Sequence, residues 1–234
     1  MKAIAVIPAR GGSKRIPRKN IKLFFEKPII TYAIENALSS KLFSEVVVST
    51  DDAEIRKIAE AAGAKCYWIR SEELSNDNAS TLSVMQDAVQ QLRNKDFEFV
   101  CCIYPSTPLL TPSDLISGFE KIIKEEWDYV ISATKLDHNP LRSFFWKENG
   151  QVELLFKENE LIRTQCLPDV YKDAGQFYWG KRSSWEKGKP IFTSKTTVTV
   201  FNFNHIIDID VLEDWAKAEQ MYSERLGWDN GKKI

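Results

Sequence analysis

Short apolar runs alternate along most of this chain with segments whose apolar residues recur every three or four positions. Residues 3–8 form the first such run and predict a buried strand. Ile30, Ala33, Ile34, Ala37 and Leu38 then fall at helical spacing, which predicts a helix over 28–40. The same logic predicts strands over 45–49, 65–69, 97–104 and 129–134. It predicts helices over 53–62, stopped by Gly63, over 80–92, and over 113–124 with Ser113 as its cap. Strands this continuously apolar are covered on both faces. The chain is therefore expected to be α/β, Rossmann-like, with a mixed, mostly parallel sheet and helices on both sides. Ligands in such sheets bind beyond the carboxyl ends of the strands, which directs attention to the loops after Pro8, Thr50, Ile69, Tyr104 and Thr134.

The rhythm breaks between 138 and 172. Pro140, Pro168, Gly150 and the aromatics Phe144, Phe145, Trp146 and Phe156 interrupt any regular period. This stretch reads as a small lobe inserted into a catalytic domain made of 1–137 and 173–234, and its apolar content suggests packing against a second subunit. Strands are expected again at 175–180 and 196–203. A last helix is expected over 211–226, with Asp210 as N-cap and Glu213 at the capping-box position. The tail from 227 to 234 is expected to fray.

Composition narrows the function classes. Lys and Arg number 32 against 33 Asp and Glu, for a net charge of -1, so the chain is not built to coat nucleic acid or an anionic membrane. An anion site would have to come from local clustering. The four cysteines form no CxxC pair and there are only two histidines, so no zinc spacing exists and the cysteines read as small buried apolar residues. Cys101 and Cys102 are adjacent and cannot share a strand face. No run is long enough to span a membrane, and the N-terminal apolar run is too short for a signal peptide, so a cytoplasmic protein is expected.

One loop stands out for chemistry. Residues 8–20 contain Gly11 and Gly12, five basic side chains (Arg10, Lys14, Arg15, Arg18 and Lys19) and no acid. Adjacent glycines let backbone N–H groups approach an anion, and the basic groups neutralise it. Neither GxxxxGK[ST] nor GxGxxG is present, and a solvated basic turn is the plainer alternative. A second signal is Asp208 and Asp210, two apart, whose carboxylates would point the same way and suit Mg²⁺. Asp210 could instead simply cap the last helix. Ser49-Thr50-Asp51-Asp52 could contact a ribose or base, or cap the helix that follows. Gly175 in Asp173-Ala174-Gly175-Gln176-Phe177-Tyr178 could floor a sugar pocket, or mark a bulge in an aromatic strand. Arg70, Arg142 and Arg163 are candidate carboxylate clamps or ordinary surface ion-pair partners.

Several of these segments together resemble the CMP-sialic acid synthetase family. They are Ile7-Pro8-Ala9-Arg10-Gly11-Gly12-Ser13-Lys14, Arg18-Lys19-Asn20, Val48-Ser49-Thr50-Asp51, Arg70 with Glu73-Leu74, Pro105-Ser106-Thr107-Pro108-Leu109, Asn139-Pro140-Leu141-Arg142 and Asp208-Ile209-Asp210, in family order across nearly the whole chain. The run 173–180 is most similar to the branch acting on pseudaminic acid. Sialic acid enzymes usually carry Asn-Gly-Ala there, and Gln in place of Tyr104. The resemblance implies a nucleotide-diphospho-sugar transferase type of fold, a homodimer joined through the inserted lobe, and CMP transfer from CTP to a nine-carbon α-keto sugar acid. It implies that Ala9, Arg10, Gly11, Gly12, Ser13, Lys19, Asn20, Arg70 and Ser80 bind CTP, and that Tyr104, Arg163, Gln176 and Tyr178 line the sugar site. It also implies that Asp208 and Asp210 hold Mg²⁺, with Arg10, Lys19 and Asp210 catalytic. Legionaminic or N-acetylneuraminic acid as substrate, or a non-catalytic nucleotide-binding regulator, are the alternatives. A nucleic-acid binder using the basic run is disfavoured by the balanced charge.

Overall fold

The computed structural model describes residues 2–202, 205–229 and 232–233. Its centre is a six-stranded sheet of β1 (Ala3–Pro8), β2 (Phe43–Ser49), β3 (Phe99–Ile103), β4 (Tyr129–Lys135), β5 (Tyr171–Lys181) and β6 (Thr196–Phe201). The spatial order is β6-β4-β5-β3-β1-β2. β1 pairs in parallel with β2 and β3, and β6 in parallel with β4; only β5 runs antiparallel to its two neighbours. The sheet is therefore mixed and mostly parallel, as its apolar strands predict.

Period-two alternation splits each strand between two cores. Ala3, Ala5 and Ile7 face α1 (Ile29–Ser39), α2 (Ala53–Ala61) and α4 (Pro112–Lys124). Ile4 and Val6 face α3 (Thr81–Gln91) and the short α5 (Arg182–Glu186). Cys101 joins the first core and Cys102 the second. Both are buried, as is Cys66, whereas Cys166 is exposed.

The expected strand over 65–69 is not one. Lys65 makes a single parallel bridge to Val47, and Arg70 next meets the strand edge by donating its N–H to Thr50. Tyr67 and Ile69 are half exposed at the sheet edge, so no second layer holds that segment in register. The cap of α4 is Thr111 rather than Ser113. The Thr111 hydroxyl accepts the Asp114 N–H, the Asp114 carboxylate accepts the Thr111 N–H at 2.8 Å, and Pro112 takes the first helical position.

The last helix, α6 (Leu212–Leu226), also differs at its start. Asp210 is not its cap, and Glu213 is not the box residue. Asp214 accepts the backbone N–H groups of Asp210 and Val211 at 2.9 and 3.0 Å, one turn of helix reaching back over its own entry. The Asp210 carboxylate is thereby left for other work. In the tail, Trp228–Asp229 pairs with Lys232–Lys233. The remaining tail residues 230, 231 and 234, and residue 203 of the last expected strand, lie outside the described residues.

Residues 138–170, up to the start of β5 at Tyr171, contain only short elements: a hairpin of Phe144–Trp146 with Val152–Leu154, and three 3-10 turns. Phe144, Phe145, Trp146 and Leu161 are exposed, Trp146 by 81% and Leu161 by 94%.

Candidate active site

A small third core decides where the chemistry sits. Ile16 and Phe24 from the basic loop and the segment after it, Ile29 and Tyr32 from α1, and Trp215 and Ala218 from α6 bury Ile209 completely between them. Burying Ile209 turns its neighbours outward, Asp210 towards Arg15 and Lys19 of the basic loop and Asp208 against Gly175 of β5. Two segments about 190 residues apart in sequence thus converge because apolar side chains seal them together.

Lys19 donates to the Ile209 carbonyl at 2.6 Å and lies 3.8 Å from the Asp210 carboxylate. Arg15 donates to Asp210 at 2.8 Å. Arg10, Ser13, Lys14, Arg15, Lys19, Asn20, Arg70, Tyr104 and Asp210 line one cavity of about 260 Å³, beside Leu74, Thr81, Val84 and Ser106. Five lining side chains are basic and two, Asp77 and Asp210, are acidic. The cavity is therefore a cationic recess beyond the carboxyl ends of β1 and β3, the position expected for a ligand in this kind of sheet.

Two of these cations are held under electrostatic strain. Burial lowers the pKa of Lys19 against the pull of Asp210, and burial likewise lowers that of Arg70, which is only 4% exposed. Arg70 donates from Nε to Ser75 at 3.1 Å, and its guanidinium is 3.7 Å from Asp51. A buried cation with incomplete compensation stabilises an incoming anion strongly.

The aspartates show the opposite imbalance. One flank of Asp208 stays open to solvent, yet burial of the remainder and the neighbouring Asp210 charge push its carboxyl up to about 6. Gly175, at φ +61°, passes so close that a Cβ there would lie 2.7 Å from the Asp208 Cγ. Asp208 beside Asp210, the latter already meeting Arg15 and Lys19, offers hard oxygen donors that fit a divalent cation, whose other positions water and phosphate would fill. Among the described residues, no group of three or more His, Cys, Asp or Glu side chains is gathered for a metal.

The remaining predicted residues fall in different places. Arg18 turns away from the cavity to pair with Asp52 and Glu54, pinning the loop to the start of α2. Gly11 donates its N–H to Asp51 at 3.0 Å, and a Cβ there would meet the Asp52 carboxylate at 2.7 Å. Its glycine is thus required by close packing against Asp51 and Asp52, and its N–H is already engaged. Gly12 is open, and Ala9 is buried under the loop with its N–H on Ser49. Asn20 donates to the Arg10 carbonyl at 2.9 Å and shapes the loop from within. Ser80 caps α3, accepting the Ser83 N–H at 3.1 Å. Asp52 caps α2 by accepting the N–H groups of Glu54 and Ile55, the capping alternative for this turn.

On the other side of the cavity, Tyr104 lies 2.9 Å from the Thr81 hydroxyl and packs edge-on against Tyr178. Tyr178 and Gln176 are buried behind it and do not line the cavity. Arg163 is exposed within the 138–172 stretch, away from the cavity, and Arg142 donates to the Ile162 carbonyl in the same stretch. Asp77 was not foreseen. It pairs with Arg10 at 2.8 Å and with Lys14, across 67 and 63 positions, and no local pattern marks it.

Comparison with known proteins is consistent with this geometry. A model of the family described as cytidylyltransferase matches residues 4–234. The pseudaminic acid cytidylyltransferase of Campylobacter jejuni is 42% identical over 95% of this chain and 97% of its own length. N-acylneuraminate cytidylyltransferase A of Danio rerio is 36% identical over 92% of this chain and 50% of its own length. A solved CMP:2-keto-3-deoxy-manno-octonic acid synthetase, in complex with CTP, superposes with a TM-score of 0.71 over 97% of this chain and all of that chain. It is 18% identical and is a likeness of fold.

Proposed function

The chain belongs to the cytidylyltransferase family, and on that footing we propose that it transfers CMP from CTP to the anomeric hydroxyl of pseudaminic acid, releasing pyrophosphate. It is a nucleotidyltransferase that makes a CMP-sugar. Pseudaminic acid is preferred because the 42% identical relative carries that activity in its name over almost its full length, against 36% for an N-acylneuraminate enzyme. The observation that carries the chemistry is the meeting of Lys19, Arg10 and Arg70 with Asp210 in one cavity.

In the reaction, the sugar's 2-hydroxyl oxygen bonds to the α-phosphorus of CTP as the bond to the β-phosphate oxygen breaks. The hydroxyl proton leaves, and pyrophosphate departs. Such a transfer asks the protein mainly for in-line placement and charge neutralisation. Arg10, Lys14 and Lys19 would hold the phosphates, and Lys19 and Arg15 would stabilise charge gathering on the leaving group. Ser13, Asn20 and Ser80 would shape the nucleotide side, with Arg70 near ribose and cytosine. Asp208 and Asp210 would hold Mg²⁺, which when bound supplies electrophilic assistance at the phosphates. Tyr104 would face the sugar, with Gln176 and Tyr178 setting its position from behind.

The exposed aromatics of 138–172 support a homodimer in which this stretch packs on a second copy, bringing Arg163 towards the partner's cavity. Among the described residues, no helix is long and apolar enough to cross a membrane.

The test is incubation with CTP, Mg²⁺ and a panel of nine-carbon sugar acids, read by mass spectrometry with a pyrophosphate assay. CMP-pseudaminic acid should dominate. Faster turnover of legionaminic or N-acetylneuraminic acid would reassign the sugar. No pyrophosphate with any sugar acid would remove the enzyme assignment.

A further inference from the structure

Asp173 commits both of its carboxylate oxygens to the chain. One accepts the Gly175 N–H at 2.9 Å and the other accepts the Tyr178 hydroxyl. The first bond shapes the left-handed bulge on β5 against which Asp208 rests, where a Cβ would come within 2.7 Å of that carboxyl. Gln176 fastens the same bulge by donating to the Ile207 carbonyl at 3.1 Å, next to the aspartate segment. The second bond fixes Tyr178, whose ring meets that of Tyr104 edge-on at 5.5 Å. The Tyr104 hydroxyl continues the chain to Thr81 at 2.9 Å, and both of those residues line the cavity.

Asp173 is absent from the lining of the cavity yet touches the supports of both its sides. The Tyr178 O–H donates to Asp173, so the phenol oxygen keeps its lone pairs for accepting. Burial raises the pKa of both phenols, so each keeps a proton to donate.

We propose that Asp173 is a positioning residue for the sugar acid: through Gly175 and Tyr178 it sets the distance between the aspartate pair and the Tyr104 wall. The inference rests on the cytidylyl-transfer reading, with the sugar on the Tyr104 side. The side chains proposed to hold the phosphates, Arg10, Lys14 and Lys19, pair with Asp77, Asp210 and the Ile209 carbonyl rather than with Asp173, Tyr178 or Tyr104, so KM for CTP serves as the control.

Two variants test this. Asp173→Asn keeps an oxygen for Gly175 but turns an amide donor towards Tyr178, reversing the chain. Tyr178→Phe removes only the hydroxyl. Each should raise KM for the sugar acid roughly tenfold while KM for CTP stays within about twofold. Because both act through one bond, the double variant should be no worse than the worse single one. Unchanged sugar KM, an equal rise in KM for CTP, or multiplying effects in the double variant would overturn the proposal. Should Asp173→Asn fail to fold, Tyr178→Phe decides alone. An inactive wild type would fault the cytidylyl-transfer reading, whereas an active wild type with indifferent variants faults only the role of Asp173.

Discussion

Lys19 donates its ammonium to the main-chain carbonyl of Ile209 at 2.6 Å, so the basic loop is tied to the backbone between the two aspartates as well as to their charges. The tie uses neither carboxylate, and it holds Lys19 where burial has already lowered its pKa.

Lys19→Ala should therefore weaken CTP roughly ten- to hundredfold, the range of one lost charge-assisted bond. Calorimetric titration with CTP measures it. Unchanged affinity would place the triphosphate elsewhere.

Asp210 and Asp214 should separate cleanly. Asp214 accepts the N–H groups at the entry to α6, whereas Asp210 faces Arg15 and Lys19. Asp210→Ala should abolish turnover with little change in melting temperature. Asp214→Ala should cost about 0.5–2 kcal/mol of stability through the lost cap. Thermal melts beside a pyrophosphate assay give both readings. A large stability loss in Asp210→Ala would mean that it caps after all.

Asp208 gives a pH prediction with a definite sign. Its carboxyl is raised from 3.8 to about 6, so the folded state binds the proton more tightly than the unfolded state. Stability from this group is present at low pH and falls as pH rises through that window. Asp208→Asn, neutral throughout, should melt higher than wild type above pH 6 in chelator. The gap should close towards pH 4. The open flank of Asp208 limits the gain to about 1 kcal/mol, roughly 2–4 °C for a chain of this length. A gap that is constant with pH would rule out the crowded carboxylates as its source.

Asp77 occupies Arg10 and Lys14, two of the cations expected to meet phosphates. Both side chains hold its carboxyl below the usual range, Lys14 first. On the proposed phosphate site, CTP would have to displace it. Asp77→Asn should tighten CTP about two- to fivefold, as expected for release of exposed ion pairs, with the gain shrinking at high salt. Weaker CTP binding in this variant would make Asp77 a support of the nucleotide rather than its competitor.

Periodicity made the sheet and five of its six helices legible, all but the short α5, because burial on two faces writes itself into the spacing of apolar residues. The segment 65–69 misled because an apolar run at a sheet edge looks the same as one in the middle. Asp210 misled because an Asp before an amphipathic helix is the common cap. The sequence holds no sign that Ile209 would be drawn into a separate core and shift the helix start by one position. Arg18 and Gly11 were visible as members of a phosphate loop, but their partners Asp51, Asp52 and Glu54 sit on another strand-to-helix turn. Asp77 was invisible for the same reason: its partners are distant in sequence and its neighbours carry no period. The match of the family model to residues 4–234 supports the identity drawn from several motifs in order, where any one of them alone left a plain structural alternative standing.

The distribution of thiols has a practical result. Cys66, Cys101 and Cys102 are sealed in the interior, where burial raises their pKa, while Cys166 stands exposed beside Arg163. A maleimide dye offered to the native protein should therefore label one defined spot without any mutagenesis. That spot lies in the 138–172 stretch, so the fluorescence of the attached dye would report directly on whether two copies come together there.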